Sequence, residues 1–220
     1  MKTTRIGGSF AAEIHDLALN EESLHRCRDD LHRAYLDHKV IVLRGQTITT
    51  EVFAEFGTIF GKAEVHHVRA MRHPQIPVLT MLSNQSEPGR NDVMKYFGDG
   101  WRRLLVQTRD RRRHHAVGDR DSRRRRSVIG VEGMDAVDSD PLIDRLLAHV
   151  TRPTYVYRHR WRPNDIVVWD NRSLLHSATT KVLPAHQVRR MLRITTTGST
   201  LVGVTPEAGV TTVVPETELA

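Results

Sequence analysis

The sequence predicts a mainly β chain with flanking helices, an α+β fold. Three observations predict it. Short β-branched runs bounded by turn residues recur at Lys39–Arg44, Ile76–Leu82, Ile166–Trp169 and Met191–Thr197, as buried or half-buried strands do. Apolar residues at helical spacing are confined to three windows between those runs. A hydrophobic content of 39% over 220 residues is enough for one domain with a core, although an aromatic content of 5% makes that core thin.

In chain order, Arg5 to Leu19 reads as a short strand pair turning at Gly7-Gly8. Asn20 is an N-cap, and Leu24, Cys27, Leu31, Ala34 and Tyr35 mark an amphipathic helix over Glu21–Asp37. Lys39–Arg44 is a buried strand, and Gly45-Gln46 turns the chain. Thr49 or Thr50 caps a second helix bearing Val52, Phe53, Phe56 and Phe60. Ile76–Leu82 is a strand, and Ser86–Gly100 is a loop rich in Gly, Asn, Asp and Pro. Leu142, Ile143, Leu146, Leu147 and Val150 mark a helix over Asp138–Val150. Tyr155–Trp161 alternates like a strand, Pro163-Asn164-Asp165 turns, Ile166–Trp169 is a buried strand, and Met191–Thr197 is the last strand. This organisation gives one domain over 1–198, with 199–220 as a loose C-terminal extension.

Charge is distributed unevenly. The formal net charge is +7, yet Arg102–Arg126 alone holds 11 arginines against 3 aspartates, leaving 22 basic and 23 acidic side chains elsewhere. A near-neutral globular protein is therefore interrupted by one very basic segment without a hydrophobic period, expected to be disordered over 102–127. Nucleic-acid-binding domains usually spread basic residues over a folded face. As an Arg-rich arm the segment would bind polyanions nonspecifically, since it lacks interleaved aromatics for base stacking. The single cysteine, Cys27, cannot form an internal disulfide, and the N-terminal residues contain no long apolar run. A cytoplasmic protein without a membrane span is the expectation.

One stretch carries chemistry. Trp161–His176 reads as a turn, a buried strand, a polar corner and a histidine, and Arg189 and Arg193 follow on the next strand. An imidazole that binds a metal beside a guanidinium that clamps a carboxylate suits this order, because the planar fork of arginine meets a carboxylate bidentately. The same spacing also fits an ordinary polar histidine and a surface strand arginine, and spacing alone leaves both open.

The stretch W-x-P-x-D-I-V-x-W-D-N-R-x-x-x-H-x-A, then R-x-x-x-R-x-T, over Trp161–Thr195, resembles the C-terminal signature of the taurine dioxygenase family. Ala11-Ala-Glu-Ile-His-Asp-Leu17 resembles the family's opening. His38–Arg44 resembles its first core strand, and Leu82-Ser-Asn84 and Gly98-Asp-Gly-Trp101 resemble the approach to its active site. The resemblance spans roughly 5–101 and 128–198. It implies a double-stranded β-helix, or jelly roll. It also implies Fe(II) held by a His-x-Asp pair and a distal histidine, with open positions for 2-oxoglutarate and O2. The implied reaction couples decarboxylation of 2-oxoglutarate to succinate with hydroxylation of a small organic substrate, often an anion such as a sulfonate or aryloxyalkanoate. By carry-over, His176 is the distal ligand, Arg193 binds the 2-oxoglutarate carboxylate, and Arg189 lies near an anion of substrate or cosubstrate.

The departure is at the first two ligands. Where the family has His-x-Asp after the tryptophan, this chain has Arg102-Arg103-Leu104, and neither Arg nor Leu ligates iron. A frameshift would explain this, with codons that these residues allow. Trp101–Leu105, written TGG CGG CGA CTC CTG, becomes Trp-His-Gly-Asp-Ser when two bases are restored after the first codon. Arg113–Val117, written CGT CAC CAT GCT GTC, gives Val-Thr-Met-Leu one base later. Residues 102 to about 127 are thus read as translated out of frame, with several core strands deleted before Val128. The expected consequences are an incomplete jelly roll, impaired catalysis, unpaired strand edges and reduced stability. His66, His67, His73, His114 and His115 are weaker candidates as replacement ligands, because adjacent histidines on a strand point to opposite faces. Asp99 reads as a turn residue and Trp101 as a packing residue. A pseudoenzyme is the remaining alternative.

Overall fold

The computed structural model describes residues 1–7, 10–83, 131, 133–177, 187–197, 201–204 and 211–214. The Arg-rich segment, the Arg102-Arg103-Leu104 departure, Asp99, Trp101, His114 and His115 lie outside them. Helix and sheet are mixed, and the chain divides into two compact units, 1–47 with 96–183 and 48–95 with 184–220. Among the described residues no helix is long and apolar enough to cross a membrane.

The first unit is built on a four-stranded sheet in the order β1-β2-β3-β6. Strands β1 (Lys2–Arg5) and β2 (Ala11–His15) form the expected antiparallel pair. Gly7 between them has φ +51°, and a Cβ there would press on the Tyr157 ring. β2 then runs parallel to β3 (Val40–Leu43) through helix α1 (Glu21–His38). Asn20 caps α1 in a reciprocal box with Ser23, and the buried face is Leu24, Cys27, Leu31, Ala34 and Tyr35, as the periodicity predicts. All four residues of β3 are buried, and its backbone is paired on both edges, by β2 and by β6 (Ile166–Trp169). Ala11, Val40 and Val42 form a core cluster with Tyr157, Val167, Trp169 and Leu174 packed against it.

Residues 156–161 differ from expectation. They alternate as a strand would, but form no ladder. Tyr157 and His159 instead face inward, one onto that cluster and the other into a buried charge cluster. There Asp165, fully buried, accepts from Arg44 Nη1, from the Arg162 N–H at 2.8 Å and across 3.1 Å from His159 Nε2. Glu13 takes the other side of Arg44 at 3.3 Å, and the Tyr157 hydroxyl lies 3.0 Å from His159 Nδ1. Helix α3 (Ala136–Val150), capped by Asp135, forms where predicted but buries only Ser139 and Ile143, leaving Leu146 and Val137 in solvent.

This cluster fixes an acid limb of stability. Burial pushes the His159 imidazole below its ordinary value, against the upward pull of Asp165. Burial alone would raise Asp165, but the bonds from Arg162, Arg44 and His159 outweigh it and lower it. The unfolded chain therefore protonates His159 before the folded chain does. Stability is full above about pH 6.5 and declines as pH falls through the folded value. Asp165 and Asp170, also lowered, add a second decline below about pH 3.9. Urea midpoints followed by circular dichroism should show both steps, and His159→Gln should shrink the first, to which the His66 imidazole, also lowered by burial, contributes the rest.

The second unit holds helix α2 (Thr50–Thr58), capped by Thr49, and paired strands. β4 (Lys62–Ala63) pairs with β8 (Thr196–Thr197), and β5 (Leu79–Ser83) with β7 (Arg190–Ile194), both antiparallel. The strand expected over Met191–Thr197 is broken at Thr195, whose carbonyl accepts from Glu64 N–H at 2.8 Å, and it is not the last. β9 (Leu201–Val204) and β10 (Thr211–Val214) pair with each other.

Candidate active site

His176 belongs to the first unit and follows a corner that the sequence builds locally. The Asp170 N–H donates to Lys39 O at 2.9 Å, which carries the β6 ladder one residue past Trp169. The chain then turns, with Ser173 N–H and Leu174 N–H donating back to Asp170 O at 3.2 and 3.0 Å. The Asp170 carboxylate closes the corner. It accepts from the Arg172 N–H at 2.9 Å, from Arg172 Nε at 3.0 Å and from Arg172 Nη2 at 3.2 Å. Burial alone would raise the Asp170 carboxyl, but these bonds hold it below the usual carboxylate range. The bond with Asp170 raises Arg172 in turn. Tyr35 of α1 faces both, and its hydroxyl is raised mainly by burial and then by Asp170. Trp169 donates its Nε1–H to Asn171 Oδ1 at 2.8 Å. The His176 ring packs beside that indole, with centroids 5.6 Å apart at 55°, and its Nδ1 is shielded from solvent.

Arg189 and Arg193 belong to the second unit. Arg193 stands on β7 opposite Thr80 of β5, which is buried. Its Nε is buried with no hydrogen-bond partner among the described residues, and burial lowers its pKa. Arg189, just before β7, is lowered by burial as well. His66 neighbours Arg193. Its imidazole is lowered first by burial and then by the Arg193 cation. Its Nδ1 accepts from Val68 N–H at 3.1 Å, so the neutral ring carries its proton on Nε2 as a donor. His66 and His67 lie on no strand, and their rings stack at 4.5 Å rather than facing opposite ways. Arg72 Nε holds this loop by donating to His66 O at 2.7 Å. The second unit therefore gathers guanidinium and imidazole donors suited to an anion, and a guanidinium cation beside His66 disfavours a metal there. Nothing local in the sequence brings His66 to Arg193; β4–β8 pairing, continued by the Glu64 N–H to Thr195 O bond across more than a hundred residues, does.

The described residues do not fit an iron centre. No group of three or more His, Cys, Asp and Glu is arranged to hold a metal among them. His176 is one donor where Fe(II) sites of this kind use two histidines and a carboxylate. A carboxylate ligand does fit Arg193, whose buried Nε has no acceptor among the described residues.

The model of the taurine catabolism dioxygenase TauD, TfdA family matches residues 2–103 and 99–195. The chain belongs to that family. The two matches meet at Trp101-Arg102-Arg103, the point of the sequence departure. Among curated relatives, the chain is 43% identical over 67 residues to an alpha-ketoglutarate-dependent 2,4-dichlorophenoxyacetate dioxygenase of Cupriavidus pinatubonensis, covering 30% of this chain and 22% of that enzyme. It is 30% identical over 113 residues to an (S)-phenoxypropionate/alpha-ketoglutarate-dioxygenase of Delftia acidovorans, covering 51% and 37%. These matches span between about a fifth and two fifths of the relatives' length. A solved taurine dioxygenase from Burkholderia xenovorans shares the fold, with TM-score 0.64, 19% identity and coverage of 97% of this chain and 94% of that one.

Proposed function

We propose that this chain carries the jelly-roll scaffold and the C-terminal half of the active site of a Fe(II)- and 2-oxoglutarate-dependent dioxygenase, and that its own turnover is impaired. The activity in question couples 2-oxoglutarate decarboxylation to succinate with O2-dependent hydroxylation of a small organic anion. In this reading 1–198 is one dioxygenase-like domain and 199–220 an extension. His176 is the distal metal ligand, Arg193 binds the 2-oxoglutarate carboxylate, and Arg189 serves an anion of substrate or cosubstrate. The observation that carries it is Arg193, a guanidinium whose buried Nε has no acceptor among the described residues, on the strand that follows the histidine corner. A buried cation with an unmet donor is costly unless an anion completes it. Names of relatives that act on 2,4-dichlorophenoxyacetate and sulfate esters support an anionic substrate. Impairment is supported by the chemistry at the junction, where arginine and leucine offer Fe(II) no donor.

Succinate formation from 2-oxoglutarate with added Fe(II) tests this, on the chain itself and on a version with the reading frame restored at Trp101. The restored version is expected to turn over, with Arg193→Gln raising the KM for 2-oxoglutarate at least about tenfold, as loss of a charge-assisted pair should. The chain itself should stay at background. Turnover by the chain that disappears in His176→Ala would show that other ligands replace His-x-Asp and overturn the impairment.

A further inference from the structure

We propose that the Asp170–Arg172 ion pair, faced by Tyr35 of α1, is a positioning device for the His176 imidazole. The proposal rests on the reading of His176 as the distal ligand. Three observations carry it. Asp170 is 4% exposed, and its carboxylate takes three bonds from one residue, two of them bidentate from the guanidinium. Closing a turn does not require a buried charge, since apolar residues of similar volume pack a site as well or better; a bidentate pair adds fixed orientation. The chain between the pair and His176 is also held. Leu174 sits on the Ala11–Val40–Val42 cluster, and its N–H bonds to Asp170 O. Finally, the two other residues of the corner face the same way in purpose. Asn171 Oδ1 orients the Trp169 indole, and that indole flanks the His176 ring. Trp169, Asp170, Asn171 and Arg172 thus each fix one side of the path to His176, and Tyr35 ties the carboxylate and guanidinium to the helix behind. Asp170, Arg172 and Tyr35 touch no substrate in this account; they act through the histidine.

The ring current of Trp169 makes the geometry readable without metal or turnover. In the full chain labelled at histidine, the His176 Cε1–Hε1 peak is assigned by its loss in His176→Gln. Asp170→Asn removes the ionic pair at nearly constant volume. The His176 peak should then lose its indole-induced displacement and move to the position of free histidine, while the His15 peak stays in place. Arg172→Lys, which keeps the charge but not the fork, should move it part of the way. Tyr35→Phe, which deletes only a hydroxyl, gives the same comparison if Asp170→Asn fails to fold. A His176 peak that holds its place in a folded Asp170→Asn or Tyr35→Phe chain would reduce the pair to packing. Broadening of the same peak by added Mn(II) in the version with the reading frame restored at Trp101 reports separately on His176 as a ligand, so failure of that reading is distinguishable from failure of this one.

Discussion

Asp165→Ala is expected to bring the first unit close to unfolding. Asp165 has no exposed side-chain surface, and its Oδ2 is the meeting point of Arg44, the Arg162 N–H and His159. Removing it leaves a largely buried guanidinium with Glu13, at 3.3 Å, as its one remaining carboxylate among the described residues beside the Arg160 carbonyl at 3.1 Å, and an imidazole without its acid. Breaking a buried pair by deleting one partner costs about 3–5 kcal/mol. A domain has about 5–15 kcal/mol to lose. Urea unfolding followed by far-ultraviolet circular dichroism should show a midpoint lowered by a third or more, or no cooperative transition at all. An unchanged midpoint would mean that Arg44 and His159 re-pair with Glu13 without loss. The lever is long-range. Arg44 ends the strand β3 while Asp165 opens β6, so this one carboxylate ties together segments 121 residues apart.

Gly61→Ala should be the most damaging single methyl in the second unit. Gly61 has φ +137°, a region closed to L side chains, and a Cβ there would fall on the Thr197 carbonyl oxygen. That oxygen belongs to the backbone of β8, so nothing flexible can yield. Strain and overpacking together cost about 3 kcal/mol. Gly57→Ala provides the contrast. Its Cβ would meet the Ile194 side chain, whose outer atoms can rotate away, and the cost should be about 1–2 kcal/mol. Thermal melts should rank the two in that order, and Ile194→Val, which deletes Cδ1 but keeps both γ carbons, should ease Gly57→Ala in part and leave Gly61→Ala unchanged. Ile194 follows Arg193 directly, so the Gly57 variant also shifts the strand that presents the guanidinium.

What was legible in the sequence followed local chemistry. The Asn20 cap, the buried face of α1, the Thr49 cap and the strands around Val40 and Ile166 all announce themselves within a turn or two of chain. So did the corner leading to His176, because its bonds run between residues two to four apart. What was not legible depends on distant partners. The alternation at 156–161 reads as a strand, but no strand pairs with it among the described residues, and its inward side chains serve a charge cluster instead. The parallel pairing of β2 with β3, and the approach of His66 to Arg193, arise from topology that no local period encodes. The exposed face of α3 shows the converse. Its helical period is genuine, yet Leu146 and Val150 have no core to enter among the described residues.

The place of β3 at the heart of its sheet has a temporal consequence. β2 and α1 are made before it and dock as it appears, but its other edge waits for β6, about 120 residues later. At a ribosomal pace of about 5–20 residues per second, that is roughly 6–25 s during which the wholly apolar run Val40–Leu43 presents an open ladder to solvent. Every nascent copy passes through that window, so neighbouring chains on a crowded message compete with β6 for the same backbone donors and acceptors. The yield of native protein is therefore set by synthesis rate and chaperone supply as much as by the stability of the finished sheet.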